Sequence, residues 1–311
     1  MTATGSAVPT GLGFTIRWWI FGRRVRAADR FSMAVGRLAS YGLDDRLRGV
    51  LVLERIMTES KRRHQLVIAE LATFLRHHVR PSTGGRHAYP QAYATGAVLP
   101  PPDVQAAVTA LAQRPRRPER TRLDLHGADL GGANLFEARL RDVNLGRAQL
   151  RDATLFEAQL QDATLFQAQL ENANLGWANL QRADLGGAVL DHAYLRGAKL
   201  QAARLPGARL TYANLRGARL QGTFLAGADL QHANLAGAQL QNANLAGAHL
   251  QYANLTGAQL QNANLACAQL QYANLTDAQM QHANLSGAQV QGASMALARL
   301  KHANLVGLRL A

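Results

Sequence analysis

The chain has 311 residues, and its 34 Lys and Arg against 20 Asp and Glu give a formal charge of +14. The excess is uneven: residues 1–120 hold 19 basic and 8 acidic residues, and 121–311 hold 15 and 12, so a uniformly basic nucleic-acid coat is not expected. A single cysteine, Cys267, excludes an internal disulfide framework and any multi-cysteine metal site.

Residues 1–26 read as a basic, aromatic N-terminal arm. Its longest apolar run, Phe14 to Phe21, carries Arg17 and is far shorter than the roughly 18–20 residues of a membrane span. Arg23 and Arg24 follow that run, whereas an export signal places its arginines before it. The cytoplasm is therefore the default compartment. Bases mixed with Trp18 and Trp19 leave two readings of 14–26 open, an arm lying on an anionic membrane surface and a solvated arm.

A helical domain is expected over 27–80. Helix 27–41 places Phe31, Val35 and Leu38 on one face. Helix 44–58, with Asp44 or Asp45 as N-cap, carries Leu47, Val50, Leu51 and Ile56, and helix 63–79 carries Val67, Leu71, Phe74 and Leu75. Residues 81–102 are rich in Gly and Pro and read as a linker. Within 103–120, Asp103 is expected to cap a short helix, 104–113, that covers the open end of the repeats beginning at 121.

From Leu125 to Leu310 every fifth residue is a large aliphatic. Leu fills 35 of the 38 positions, and Met280, Val290 and Met295 fill the rest. Two residues before each lies Ala, except at Leu123, Val143, Thr223 and Leu308. On an α-helix a five-residue step rotates about 140°, which scatters the leucines around the cylinder. In extended chain, residues two apart share a face, so Ala and Leu point inward together and the last two residues of each unit turn a corner. Corner residues match at a spacing of 20, as in Asn172, His192, Tyr212, His232, Tyr252 and Tyr272. Four sides per coil then give about nine coils over 121–311 at ~4.8 Å per coil.

This pattern resembles the pentapeptide-repeat family, whose unit is A-(D/N)-L-x-x. The resemblance covers 121–311 and implies an all-β, right-handed quadrilateral β-helix preceded by a small α-helical domain; the handedness comes from the family. Gln and Arg often replace Asp or Asn at the second position here. Leu43 to Arg80, followed by Pro102-Asp103-Val104-Gln105, also resembles the helical region before the repeats in actinobacterial members. Some family members protect DNA gyrase by imitating duplex DNA. That role implies a strongly acidic rod, and this rod is slightly basic.

No Ser/His/Asp set, phosphate loop or metal-spaced cluster is visible, so no enzyme activity, cofactor or metal is expected. His282 and His302 stack one coil apart, but without a third ligand they read as a corner ladder, and Cys267 as a tolerated small corner residue. Phe136, Phe156, Trp177 and Tyr194 lie on one side of the first coils. They form either a seat for the N-terminal helices or an interface for a protein partner. Arg196, Lys199, Arg204, Arg209, Arg216 and Arg219, with no acid among them, form a basic girdle for an acidic partner or a solvated rim. Leu297, Val306 and Leu308 enlarge the apolar surface of the last coil, and the resemblance implies a homodimer through that end. The expected function is a non-enzymatic protein-binding scaffold. Gyrase protection is the alternative and a membrane-surface scaffold the third reading.

Overall fold

The computed structural model describes residues 29–78 and 99–310. The arm 1–26 and most of the linker 81–102 lie outside the described residues. Among the described residues four helices precede the repeats: α1 over 29–38, α2 Leu43–Glu59, α3 His64–His77 and α4 Pro102–Ala112. None is long and apolar enough to cross a membrane.

Helix α1 buries Ala34 and Leu38, with Phe31 and Val35 half-buried beside them. Helix α2 turns Leu53 and Met57 fully inward, while Leu51, expected in the core, is 57% exposed. The face therefore runs through Val50, Leu53 and Met57, the three- and four-residue steps of a helix stripe. Gly42, not Asp44 or Asp45, is its N-cap, and the two acids lie in the first turn where the helix dipole favours them. At the other end Arg117 Nη1 and Nη2 donate to the carbonyls of Met57 and Thr58 at 2.8 and 2.6 Å. This satisfies two carbonyls that every helix C-terminus leaves open.

Asp103 is not a cap either. Pro101 is the N-cap of α4 and Pro102 its first residue, so Asp103 falls one position inside the helix, with no exposed surface. Arg46 Nε donates to Asp103 Oδ2 at 2.5 Å, while Arg46 Nη1 donates to Tyr41 O at 2.8 Å. One guanidinium thereby ties the α1–α2 turn to α4.

In the repeats each side of the coil makes one parallel bridge, residue n to n+20, from Asp124↔Asn144 to Gln289↔Arg309. Four five-residue sides therefore complete a coil. The sequence reading expected short strands. Only one residue per side bridges, because the next two are spent on the corner.

The unit from Ala233 to Gly237 accounts for its backbone donors. Asn234 N donates to Ala213 O at 2.9 Å, Leu235 N to Asn254 O at 2.7 Å and Gly237 N to Thr256 O at 2.9 Å. Ala238 N closes the corner on Leu235 O at 2.9 Å. The remaining amide, Ala236 N, donates to Asn234 Oδ1 at 3.1 Å. Asn or Asp at the second position thus fills the one backbone vacancy in the unit. The second corner residue is left-handed whatever its type: φ is 61° at His232, 58° at Asn242 and 65° at Gly237. Non-glycine residues accept about 1–2 kcal/mol of strain there, which the surrounding inter-coil bonds hold in place.

Inside, Ala and Leu form one continuous apolar cluster with the buried faces of the helices. Thr223, at an Ala position, is fully buried and its Oγ1 donates to Leu200 O at 2.9 Å. Outside, Asn264, Asn284 and Asn304 each donate Nδ2 to the Asn one coil before, at 3.3, 3.2 and 3.1 Å, forming an amide ladder. Their Oδ1 atoms hold their own corners as well, as those of Asn234, Asn254 and Asn274 do. Glutamines that depart from the family unit have a use the sequence reading missed. Gln241 donates to Gln259 at 2.5 Å and Gln261 to Gln279 at 2.7 Å, each spanning to the next coil.

A bidentate pair, Arg182 to Asp162 at 2.7 and 2.8 Å, spans two coils at an exposed corner. The guanidinium holds the Asp162 carboxyl below its ordinary value. A depressed folded value contributes stability above the ordinary carboxylate pKa of about 3.9, and loses it as pH falls through the depressed one. Arg182→Gln is therefore expected to lower Tm slightly at neutral pH and to converge with the parent as pH falls below the ordinary carboxylate range. Parallel thermal melts from neutral to acid pH check this.

Candidate interaction surface

Helix α4 lies across the open end of the first coil and completes its hydrogen bonds. The Gln105 side-chain amide stands in for a missing peptide group: its Oε1 accepts from Asn134 N at 2.9 Å, and its Nε2 donates to Asn134 O at 3.0 Å. At the C-terminus of α4, Ala112 O accepts from Arg139 N at 3.1 Å, and Arg114 Nη1 donates to Arg139 O at 2.8 Å. Arg76 of α3 pairs with Asp124, and Gln65 Nε2 donates to Thr121 Oγ1 at 2.8 Å. The helices thus sit on the end of the rod. Among the described residues they do not cover the aromatic stripe, which overturns the reading of that stripe as their seat. The stripe was an available apolar surface, but the unpaired backbone of the first coil was the stronger demand.

Phe136 and Phe156 occupy the same corner one coil apart and stack with ring centroids 6.1 Å apart and planes within 3°. The Phe156 ring rests on Gly176, where a Cβ would approach it to 3.0 Å. Trp177, on the second residue of that corner in the next coil, lies flat on Gly197. There a Cβ would come within 2.7–2.9 Å of the indole, so this glycine is required as a platform. Phe136 and Trp177 are 50 and 52% exposed, and Tyr194, on the adjoining face, is 36% exposed. The four residues named from sequence are therefore together on one edge.

The basic residues are distributed over successive faces around the rod. Arg196 and Arg216 continue the Phe136–Phe156 corner, and Lys199 and Arg219 pair as neighbours on the next face. Arg204 lies on another face, over the Phe224 ring at 5.6 Å, and Arg209, on a fourth position, pairs with Asp191. A 20-residue register, applied residue by residue, carries this division of the girdle among faces. A shallow groove beside Trp177 is lined by Glu157, Gln159, Gln161, Asn179 and Lys199.

At the far edge of the same face runs the expected corner ladder. His192, Tyr212, His232, Tyr252 and Tyr272 stack with successive centroid distances of 5.1, 4.6, 5.0 and 5.1 Å. It ends with Tyr272 over Gly292, where a Cβ would meet the ring at 2.5 Å. His282 and His302 stack at 5.0 Å, and the described residues hold no group of three or more metal-ligating side chains. Cys267 is exposed at a corner with φ 57°. On the last coil Leu297 and Val306 are 78 and 75% exposed, whereas Leu308 turns inward against the core. An exposed Phe166 at the opposite corner was not singled out from sequence.

With this geometry in view, comparison with known families returns the pentapeptide repeats, in eight copies, over successive segments that together span 133–311, more than half of the chain. The chain belongs to the pentapeptide-repeat family. No curated protein matches it closely enough to count as a relative. Among solved structures, this pentapeptide-repeat protein is similar to HetL of the cyanobacterium Nostoc sp. strain PCC 7120, described as involved in heterocyst differentiation regulation. The two are 35% identical, with 60% of this chain and 88% of HetL covered and a TM-score of 0.39. It is also similar to QnrB1, a plasmid-mediated fluoroquinolone resistance protein, at 18% identity, 54 and 82% coverage and a TM-score of 0.43. A third is a pentapeptide-repeat protein of the Arabidopsis thaliana thylakoid lumen, at 32% identity, 30 and 65% coverage and a TM-score of 0.29. The family's fold is the right-handed quadrilateral β-helix, and its members are generally structural or binding proteins.

Proposed function

We propose that this pentapeptide-repeat protein is a non-enzymatic scaffold whose rod holds a protein-binding edge at Phe136, Phe156 and Trp177. One observation carries the reading: three large rings are laid flat on the rod, two of them on glycine platforms, and the helical domain leaves them uncovered. Contiguous exposed aromatics on a rigid support are the composition of interface anchors, since little side-chain entropy is lost on contact. Arg196, Lys199, Arg216 and Arg219 extend the edge and favour an acidic surface opposite it.

The experiment compares proteins captured by the immobilised full chain with those captured by Phe156→Ser/Trp177→Ser. Both positions are outside the leucine core, so thermal melts of the two are expected to agree within a few degrees. Proteins retained by the parent and lost, at least tenfold, from the variant support the edge. Identical captured sets overturn it.

A further inference from the structure

The same edge has an order along the rod. Over five successive coils the corner reads Phe136-Glu137, Phe156-Glu157, Gly176-Trp177, Arg196-Gly197 and Arg216-Gly217. Acids lie on the N-terminal side of Trp177 and bases on the C-terminal side, at matching distances of one and two coils. Glu137, Glu157, Arg196 and Arg216 are all exposed, and none takes an ion pair among the described residues. At the opposite edge of that face, Asp152 precedes Asn172 and His192 follows it, again one coil to either side.

Such an order is complementary to its own reversal. Two copies related by a twofold axis that crosses the rods at the coil of Asn174 and Trp177 run antiparallel. Glu157 of each then meets Arg196 of the other, Glu137 meets Arg216, and Asp152 meets His192. Both rods repeat at ~4.8 Å per coil, so all these pairs come into register together. The two Trp177 rings meet on the axis, and the glycine platforms under Phe156 and Trp177 keep the contact flat. Parallel rods about the same face set Glu157 against Asp152, like charge on like.

We propose that the partner of this edge is a second copy of the chain, joined in an antiparallel, side-by-side twofold dimer centred on Trp177. The inference rests on the reading of the edge as a protein-binding surface and names its occupant. Contact over five coils, about 24 Å at ~4.8 Å each, is short for a stable interface, and exposed charge pairs are screened by salt. The dimer is therefore weak and strengthens at low ionic strength.

Analytical ultracentrifugation of the full chain tests it. Dimer is expected at tens to hundreds of micromolar in low salt. Glu157→Arg and Arg196→Glu, each placing two like-charge contacts in the interface, are expected to weaken the dimer about tenfold or more. The double reversal is expected to restore it, which also excludes misfolding of the single variants. For placement, Cys267→Gly is made first, since equivalent corners are glycine. Asn174→Cys is then expected to give a covalent dimer with a short bis-maleimide, and Asn254→Cys is expected to give none.

A chain that stays monomeric in low salt overturns the proposal, as do single reversals that leave the dimer unchanged. So does dissociation by Leu297→Gln/Val306→Gln without any effect of the reversals, which places the contact at the last coil. If the chain is monomeric while the Phe156/Trp177 variant still loses captured proteins, the edge serves a different protein. The protein-binding reading then survives and self-association alone is wrong.

Discussion

Leu245→Arg is expected to abolish cooperative folding of the rod, whereas Asn242→Arg, three residues away, leaves it within about 0.5 kcal/mol of the parent. Leu245 is fully buried in a stack of leucines, with Leu225 and Leu265 in the coils on either side, both buried. A guanidinium there has no carboxylate within the apolar cluster to meet it, among the described residues. Burying it unpaired is worth on the order of 5 kcal/mol or more in lost stability, beyond the leucine contacts themselves. Asn242 is an exposed corner residue with φ 58°, and Arg147 and Arg182 already occupy equivalent corners at the same φ. Gln241 is the wrong control, although it is adjacent and polar. It is half-buried and bonded to Gln259, so replacing it disturbs a cross-coil contact. Urea denaturation followed by far-UV circular dichroism separates the two variants, and equal midpoints contradict the 20-residue register.

The second large effect is expected at the joint between helices and rod. Arg46→Met leaves Asp103 with no exposed surface and without its close cation, since the next basic group, the His78 ring, is 3.9 Å away. Removing one partner of a buried pair costs about 3–5 kcal/mol, because the other charge is stranded. Arg46→Met/Asp103→Leu removes both charges and is expected to recover most of that loss. Helix α4 also supplies the bonds that close the first coil, so its release frees Asn134 and Arg139 from their Gln105 and Ala112 partners. Limited proteolysis is the sensitive measurement. Cleavage among the helices is expected to rise at least tenfold in the single variant and to return towards the parent in the double one, with the rod resistant in both. Equal cleavage of all three chains contradicts a joint held by this pair.

The two variants probe different kinds of information. Leu245 belongs to an interaction that recurs at every fifth residue and again at every twentieth, and each recurrence repeats the same demand on the chain. The inward Ala and Leu, the corner after each pair, the four sides and the His192–Tyr272 ring ladder follow from that period without reference to anything distant. The helices were legible in outline for the same reason, from the spacing of Leu71 and Leu75 or of Val50 and its neighbours. Their caps were not. Asp44, Asp45 and Asp103 have the composition of N-caps, but Gly42 and Pro101 occupy those positions, because the surrounding chain sets the first helical dihedrals.

By itself, then, the sequence determined the solenoid, its side number, its buried residues and the existence of an aromatic edge, since all of these depend on contacts between equivalent positions at constant separation. Tertiary structure decided what happens once only. It placed α4 on the end of the rod, where Gln105 and Ala112 complete the first coil, and among the described residues it left the Phe136–Trp177 edge exposed. The physical reason is that these contacts join residues of unrelated spacing, so their outcome depends on which unsatisfied backbone group or charge has the most to gain from being covered, and no period in the chain records that comparison.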